Sequence, residues 1–259
     1  MFIDKWYTGL CNLSRESAKI ILKIDRTLLL KRDLMQWIDN FDLFLFDFDG
    51  LLVNSEALHL EAYREMCQRR GYHLSWDINQ FFKSAHLSAT GIRASLKMIF
   101  PSLFEGEENW KILYAEKKKI YEGLLARGDL SLLPGVESLL DRLAQVGKKR
   151  CVVTNSAFVQ VEAIKAQIPL LQTIPHWFCR EDYKMPKPAP DGYLAALKEL
   201  KNEGDRVIGF EDSLRGYQSL KEAGVETAVL ICPSDHPQLA LNLAGLAHAT
   251  SFEGVNNLL

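Results

Sequence analysis

The chain has 259 residues, 47% of them hydrophobic and 25% charged, an ordinary balance for a soluble globular protein and enough apolar material to bury a sizeable core. A net charge of −2 and a pI near 6.3 leave no bulk electrostatic footprint for nucleic acid or an anionic membrane, although a local group of lysines and backbone N–H donors still suffices for a small anion. Five scattered cysteines (Cys11, Cys67, Cys151, Cys179 and Cys232), with no C-x-x-C spacing, argue against a disulfide framework and a zinc site, and read as idle thiols in a reducing cytoplasm.

Taken in order, residues 1–40 read as an N-terminal helical extension. Asp4, Lys5, Arg15, Glu16 and Lys19 interrupt its apolar residues, so no signal peptide or membrane span is expected and a soluble, cytoplasmic protein is. From Ser14 to Ile38 the residues Ile21, Ile24, Leu28 and Trp37 recur at mostly helical spacing, with Ser14 as a possible N-cap; a helix packed on the main body is favoured over a partner-binding one.

Leu43-Phe44-Leu45-Phe46 reads as a short apolar strand ending in Asp47-Phe48-Asp49-Gly50. Alternation along a strand sends residues i and i+2 the same way, so the two carboxylates converge at its end, where each raises the other's pKa unless a cation intervenes. Ser55 reads as the N-cap of a helix running to Gly71. The sequence stays helical to about residue 130, with candidates over 77–99, stopped by Pro101, and over 107–126. Lys117-Lys118-Lys119 reads as the wet face of the last of these.

From Leu132-Leu133-Pro134-Gly135 onward, strand and helix alternate. Helix 136–146, strand 150–153, helix 157–167, a strand over Trp177–Cys179, helix 191–201, strand Arg206–Phe210, helix 214–223 and strand Thr227–Ile231 follow in turn. Repeated βα units imply an α/β protein with a Rossmann-like, doubly wound parallel sheet, carrying the helical block as an inserted cap. The expected domains are therefore a core over 41–55 and 131–259, a cap over 56–130, and the extension. In such a sheet the ligand crevice lies at the carboxyl ends of the strands. Asp47 and Asp49 end the first strand and Thr154 the second; Lys187 follows the third, and Glu211 and Asp212 end the fourth.

The four segments Asp47-Phe48-Asp49-Gly50, Val153-Thr154-Asn155-Ser156, Lys187-Pro188-Ala189-Pro190-Asp191 and Gly209-Phe210-Glu211-Asp212-Ser213 resemble, in order, the motifs of the haloacid dehalogenase-like superfamily. The likeness runs from about residue 41 to 258. The helical insertion sits where the class with a small α-helical cap carries it, and Asn54-Ser55-Glu56, His59, Leu133-Pro134-Gly135 and Ala223-Gly224-Val225 agree further.

The resemblance implies that Asp47 attacks phosphorus to form an aspartyl-phosphate, splitting one hard hydrolysis into two easier steps. It implies that Asp49 protonates the leaving oxygen and later deprotonates water; a dehalogenase has no need of that second acid, so its presence favours phosphoryl transfer. Asp47, the carbonyl of Asp49 and Asp212 would hold Mg2+. Glu211 is left either adding a ligand or orienting waters, or complementing a helix dipole. Thr154 and the backbone N–H of Asn155 would form an anion site at the start of a helix, with Ser156 as an N-cap. Lys187 would neutralise the phosphoryl oxygens, its K-P-x-P-D setting selecting it over Lys184. Ser55 and His59, one turn apart, are possible substrate-facing or supporting residues, a solvated histidine being equally compatible.

The favoured function is a Mg2+-dependent phosphatase acting on a small phosphorylated metabolite, a sugar phosphate or phosphoglycolate-like acid. A mutase similar to β-phosphoglucomutase is the alternative. Phe82-Lys83-Ser84-Ala85-His86 lacks the Gly-containing loop and following Arg associated with the mutases, and Arg93 is only a loose substitute, which tilts the balance toward hydrolysis. A non-catalytic interaction protein on the same fold is the least favoured reading. The sequence leaves the substrate's identity and the oligomeric state open.

Overall fold

The computed structural model describes residues 35–86, 91–106, 109–127, 130–241 and 245–259. The helix expected from Ser14 therefore falls almost wholly outside the described residues. Its last residues, up to Ile38, enter a 3-10 helix, Gln36–Asn40, whose buried Trp37 packs against Phe44 and Phe210 with ring centroids 6.1 and 5.7 Å apart.

Strand β1, Leu43–Phe46, is buried on both faces, which is why it reads as an unbroken apolar run. Alternation splits it cleanly. Phe44 and Phe46 join one apolar cluster with Phe210 and Phe252, and Leu43 and Leu45 join another with Cys151, Val153, Tyr193 and Leu220. The first cluster is rich in rings, with Phe46 stacked 5.4 Å from Phe210. The further strands are β2, Lys149–Val153; β3, His176–Phe178; β4, Val207–Glu211; β5, Thr227–Ile231; and β6, His248–Ala249. They form one parallel sheet in the order β3-β2-β1-β4-β5-β6. The order reverses at β1, which pairs with both β2 and β4, so the crevice of the α/β sheet opens where Asp47 leaves the strand.

Among the described residues, the insertion that follows β1 holds five helices: α1, Glu56–Arg69; α2, Ile78–His86; α3, Gly91–Ile99; α4, Pro101–Gly106; and α5, Trp110–Leu125. The single helix expected over 77–99 is thus two. Pro101, expected only as a stop, also starts α4, because a missing N–H costs nothing at a first helical position. The chain leaves for this insertion and returns from it side by side: Asn54 N–H donates to the Ser131 carbonyl (3.1 Å) and Leu133 N–H to the Leu52 carbonyl (3.0 Å). The sheet's own helices are α6, Val136–Gln145; α7, Phe158–Lys165; α8, Asp191–Leu200; and α9, Leu214–Glu222.

Candidate active site

Four strand ends deliver the polar groups. Asp47, Thr154, Lys187, Glu211 and Asp212, far apart in sequence, are all buried around one spot. Lys187 is the hub. Its ammonium donates to Asp47 Oδ1 (2.5 Å), Glu211 Oε1 (2.6 Å) and the Val153 carbonyl (2.8 Å), using all three of its protons. Its backbone is also held, since Asn155 Oδ1 accepts from Lys187 N–H (3.1 Å) and Arg215 donates to the Lys187 carbonyl (2.7 Å). The Asn155 side chain therefore organises the Lys187 loop. The helix after β2 starts only at Phe158, with Ala157 as its N-cap, so Thr154 to Ser156 form a loop, not the helix start expected.

Asp49 is gripped by hydroxyls. Ser55 Oγ donates to Oδ1 and Ser156 Oγ to Oδ2, both at 2.6 Å, while Thr154 Oγ1 is 3.4 Å from Oδ2. Burial works to raise Asp49, but His59 beside it and the two serine donors outweigh burial and hold the carboxyl down at about 2. Ser156 is consequently not the N-cap that its position suggested. Ser55 does stand at the N-cap of α1, yet its side chain makes no capping bond and serves Asp49 instead.

His59 Nε2 lies 3.9 Å from Asp49 Oδ1, its ring stacked 3.9 Å from that of Tyr121, and its Nδ1 lies 2.5 Å from Lys117 Nζ. Lys117 therefore departs from the sequence expectation. It is 3% exposed, turned inward from α5 over the rings of Tyr63 and Tyr121, and burial draws it down to about 7 against the pull of Glu56 and Asp49. A run of three lysines carries no mark of which one faces in; only the packing of α5 on α1 selects it.

Glu211 and Asp212 approach Asp47 so closely that one ligand atom from each lies within 4.8 Å of the others. Glu211 also accepts from Tyr193 (2.5 Å). Two glycines make the crowding possible. A side chain at Gly216, in the first turn of α9, would overlap the Glu211 carboxylate, and one at Gly50 (φ 78°) would overlap Asp212. Gln238 fixes the Asp212 turn, donating to the Asp212 carbonyl (2.6 Å) and accepting from Leu214 N–H (2.9 Å). Burial, and next the Glu211 charge, push Asp47 up to about 8 against the pull of Lys187, and burial raises Asp212 well above the usual carboxylate range. Three buried carboxylates face one lysine, and among the described residues the His86 imidazole beside Asp212 lowers that carboxyl more than Lys187 does. An oxygen-rich set of this kind fits a hard divalent cation such as Mg2+.

These groups line a cavity of about 740 Å3 between the sheet and the insertion. Arg93, Tyr114 and Lys118 of the insertion and Arg180 of the sheet layer also face it. The four described cysteines are buried and unpaired, with burial raising each thiol, in keeping with inert cores. Among the described residues no helix is long and apolar enough to cross a membrane.

Residues 44–230 match the family model of the haloacid dehalogenase-like hydrolases. A relative called protein CbbY, from Rhodobacter capsulatus, is 29% identical over 197 residues, 74% of this chain and 85% of its own. A phosphorylated carbohydrates phosphatase from Thermotoga maritima is 27% identical over 220 residues, 83% of this chain and 96% of its own. Among solved structures, CbbY from Rhodobacter sphaeroides in complex with phosphate superposes with a TM-score of 0.65 at 23% identity, over 83% of this chain and 96% of that one, a likeness of fold. The chain belongs to the haloacid dehalogenase-like hydrolases.

Proposed function

We propose that this haloacid dehalogenase-like hydrolase is a Mg2+-dependent phosphatase that hydrolyses a small phosphorylated metabolite through an aspartyl-phosphate on Asp47. The observation that carries the reading is the meeting of Asp47, at the end of β1, with Lys187 and Asp212 from other strand ends, beside an Asp49 held separately by two hydroxyls. Phosphatases of this family generally use Mg2+, and the phosphatase relative's name points to sugar phosphates as the substrate class.

With Oδ1 engaged by Lys187, Asp47 Oδ2 is the oxygen free to attack phosphorus. As the new bond forms, the ester P–O bond breaks and Asp49 delivers a proton to the leaving oxygen, a contribution of typically ~10²–10⁴-fold. Asp49 is ionised in the free site, and the arriving phosphoryl charge raises its pKa toward the protonated form. In the second step water attacks the phosphorus, Asp49 takes its proton, and the bond to Asp47 breaks to release inorganic phosphate. Lys187 and the Thr154–Asn155 loop neutralise and orient the phosphoryl oxygens throughout. Mg2+, held by Asp47, the Asp49 carbonyl and Asp212, would add charge neutralisation there; Glu211 acts from outside, positioning Lys187.

In the same reading residues 56–130 are the cap and 41–55 with 131–259 the core, a division supported by the paired exit and return at Asn54 and Ser131. The cap selects the ester. A phosphate-release screen over phosphorylated metabolites, with and without Mg2+ and alongside Asp47→Asn, tests the proposal. Mg2+-dependent release that Asp47→Asn abolishes supports it. Turnover that needs a bisphosphate primer and yields an isomer replaces it with the mutase.

A further inference from the structure

A second group of potential ligands shares Asp212 with the first, and its other two members, Glu56 and His86, are not used by the chemistry above. Glu56, in the first turn of α1, His86, at the end of α2, and Asp212, after β4, bring one ligand atom each to within 4.8 Å of one another. His86 is only 7% exposed, packed against Phe82 and His236 with ring centroids 5.0 and 5.4 Å away. Its Nε2 lies 3.5 Å from Glu56 Oε1, too long for the ~2.7–2.9 Å of a charge-assisted hydrogen bond, and its Nδ1 is buried with no partner. The imidazole is thus enclosed beside two carboxylates whose charges favour its protonated form, yet its contact with Glu56 is a long one. The 3.5 Å spacing suits a different arrangement, since two ligands each ~2.1 Å from a tetrahedral ion stand ~3.4 Å apart.

We propose that Glu56, His86 and Asp212 form a second cation site, one that takes a nitrogen-accepting divalent transition ion of the zinc class in place of Mg2+. Imidazole is a good ligand for such ions and a poor one for Mg2+, which prefers oxygen and its own waters. One histidine and two carboxylates leave a fourth position for water. Asp212 has two oxygens and can bridge, as carboxylates do in sites whose ions stand ~3.5–4 Å apart. Because His86 comes from the insertion and Asp212 from the sheet, an ion bound here ties the two together over the cavity and opposes opening.

The site is tested by titrating Zn2+ into the full chain by calorimetry with Mg2+ held in excess, so that the oxygen-only site is filled first. One zinc ion is expected to bind, with a zinc-edge X-ray absorption spectrum showing one nitrogen neighbour, recognised by the outer-shell scattering of a single coordinated imidazole ring. Loss of an outer-shell partner typically weakens a metal site 10–100-fold, so loss of a direct ligand in His86→Gln is expected to weaken zinc binding by more than ~100-fold. Glu56→Gln should act in the same direction, and His236→Gln, which changes a packing neighbour, should leave affinity and nitrogen count as they are. Folding of each variant is checked by its melting transition. Zinc binding without a nitrogen neighbour in the unaltered chain, no binding at all, or a folded His86→Gln that binds as before overturns the proposal. None of these readouts uses turnover, so they stand whether or not phosphate release is found.

Discussion

Replacing Lys117 by Met is expected to make the protein more stable and less active at once. Lys117 is 3% exposed, and burial moves it from an ordinary 10.5 to about 7. At about 1.4 kcal/mol per tenfold, folding with this amine costs on the order of 4 kcal/mol near neutral pH. The folded value lies below the unfolded one, so the cost is full below pH 7, shrinks as pH rises from 7 to 10.5, and is gone above that. Methionine removes the cost and keeps most of the volume. Against this stand the contact with His59 Nδ1, ~0.5–1.5 kcal/mol, and the placement of the ammonium over Tyr63 and Tyr121, of similar size. Urea unfolding should therefore show Lys117→Met more stable by about 1–3 kcal/mol at pH 7, with the advantage fading by pH 10. His59 then loses the partner that orients it beside Asp49, and kcat should fall by up to ~10²-fold. A variant no more stable at pH 7, whose stability follows pH in parallel with the parent, would refute the reasoning.

The remaining expectations concern the sheet side of the site. Gly216→Ala puts a methyl group into the Glu211 carboxylate, so a loss of about 1–3 kcal/mol in thermal or urea unfolding is expected, together with weaker activity as Lys187 loses its anchor. Ser156→Ala removes a donor from Asp49 and should raise it from about 2, moving the acid limb of kcat/KM to higher pH; the stability this depressed carboxyl contributes is present above about 3.8 and lost as pH falls toward 2. Asp212→Asn should abolish Mg2+ stimulation of phosphate release, and equilibrium dialysis should show lost Mg2+ binding in a chain that still folds.

Much of the fold was legible because its signals are local. An apolar run bounded by turn residues reads as a parallel strand, and the order of βα units implies the sheet whose crevice must lie at the strand ends. Hence Asp47, Asp49, Thr154, Lys187, Glu211 and Asp212 are gathered at one edge by the sequence pattern alone. The failures share a different cause. Lys117 reads as part of a wet helix face, His86 only as the end of a cap segment without the mutases' loop, and Ser156 as a cap, since a helix face is assigned by what packs against it. Tyr193 and Gln238 belong to no short motif, and only the approach of α8 and the C-terminal segment to Glu211 and Asp212 gives them their contacts.

What the amino-acid sequence determined by itself is the set of strand ends and the chemical types placed on them, because alternation along a strand and termination at acids and glycine act over a few residues. Tertiary structure decided which groups surround those acids. Long-range packing turned one lysine of three inward, seated an insertion histidine beside Asp212, and gave Asp47 and Asp49 opposite environments. Asp47 is pushed up by burial and by the carboxylate beside it, whereas Asp49, buried as well, is pulled down by His59 and two serine hydroxyls. Two acids a residue apart are the same side chain in sequence, and only the dielectric and the partners supplied from distant segments make them chemically different.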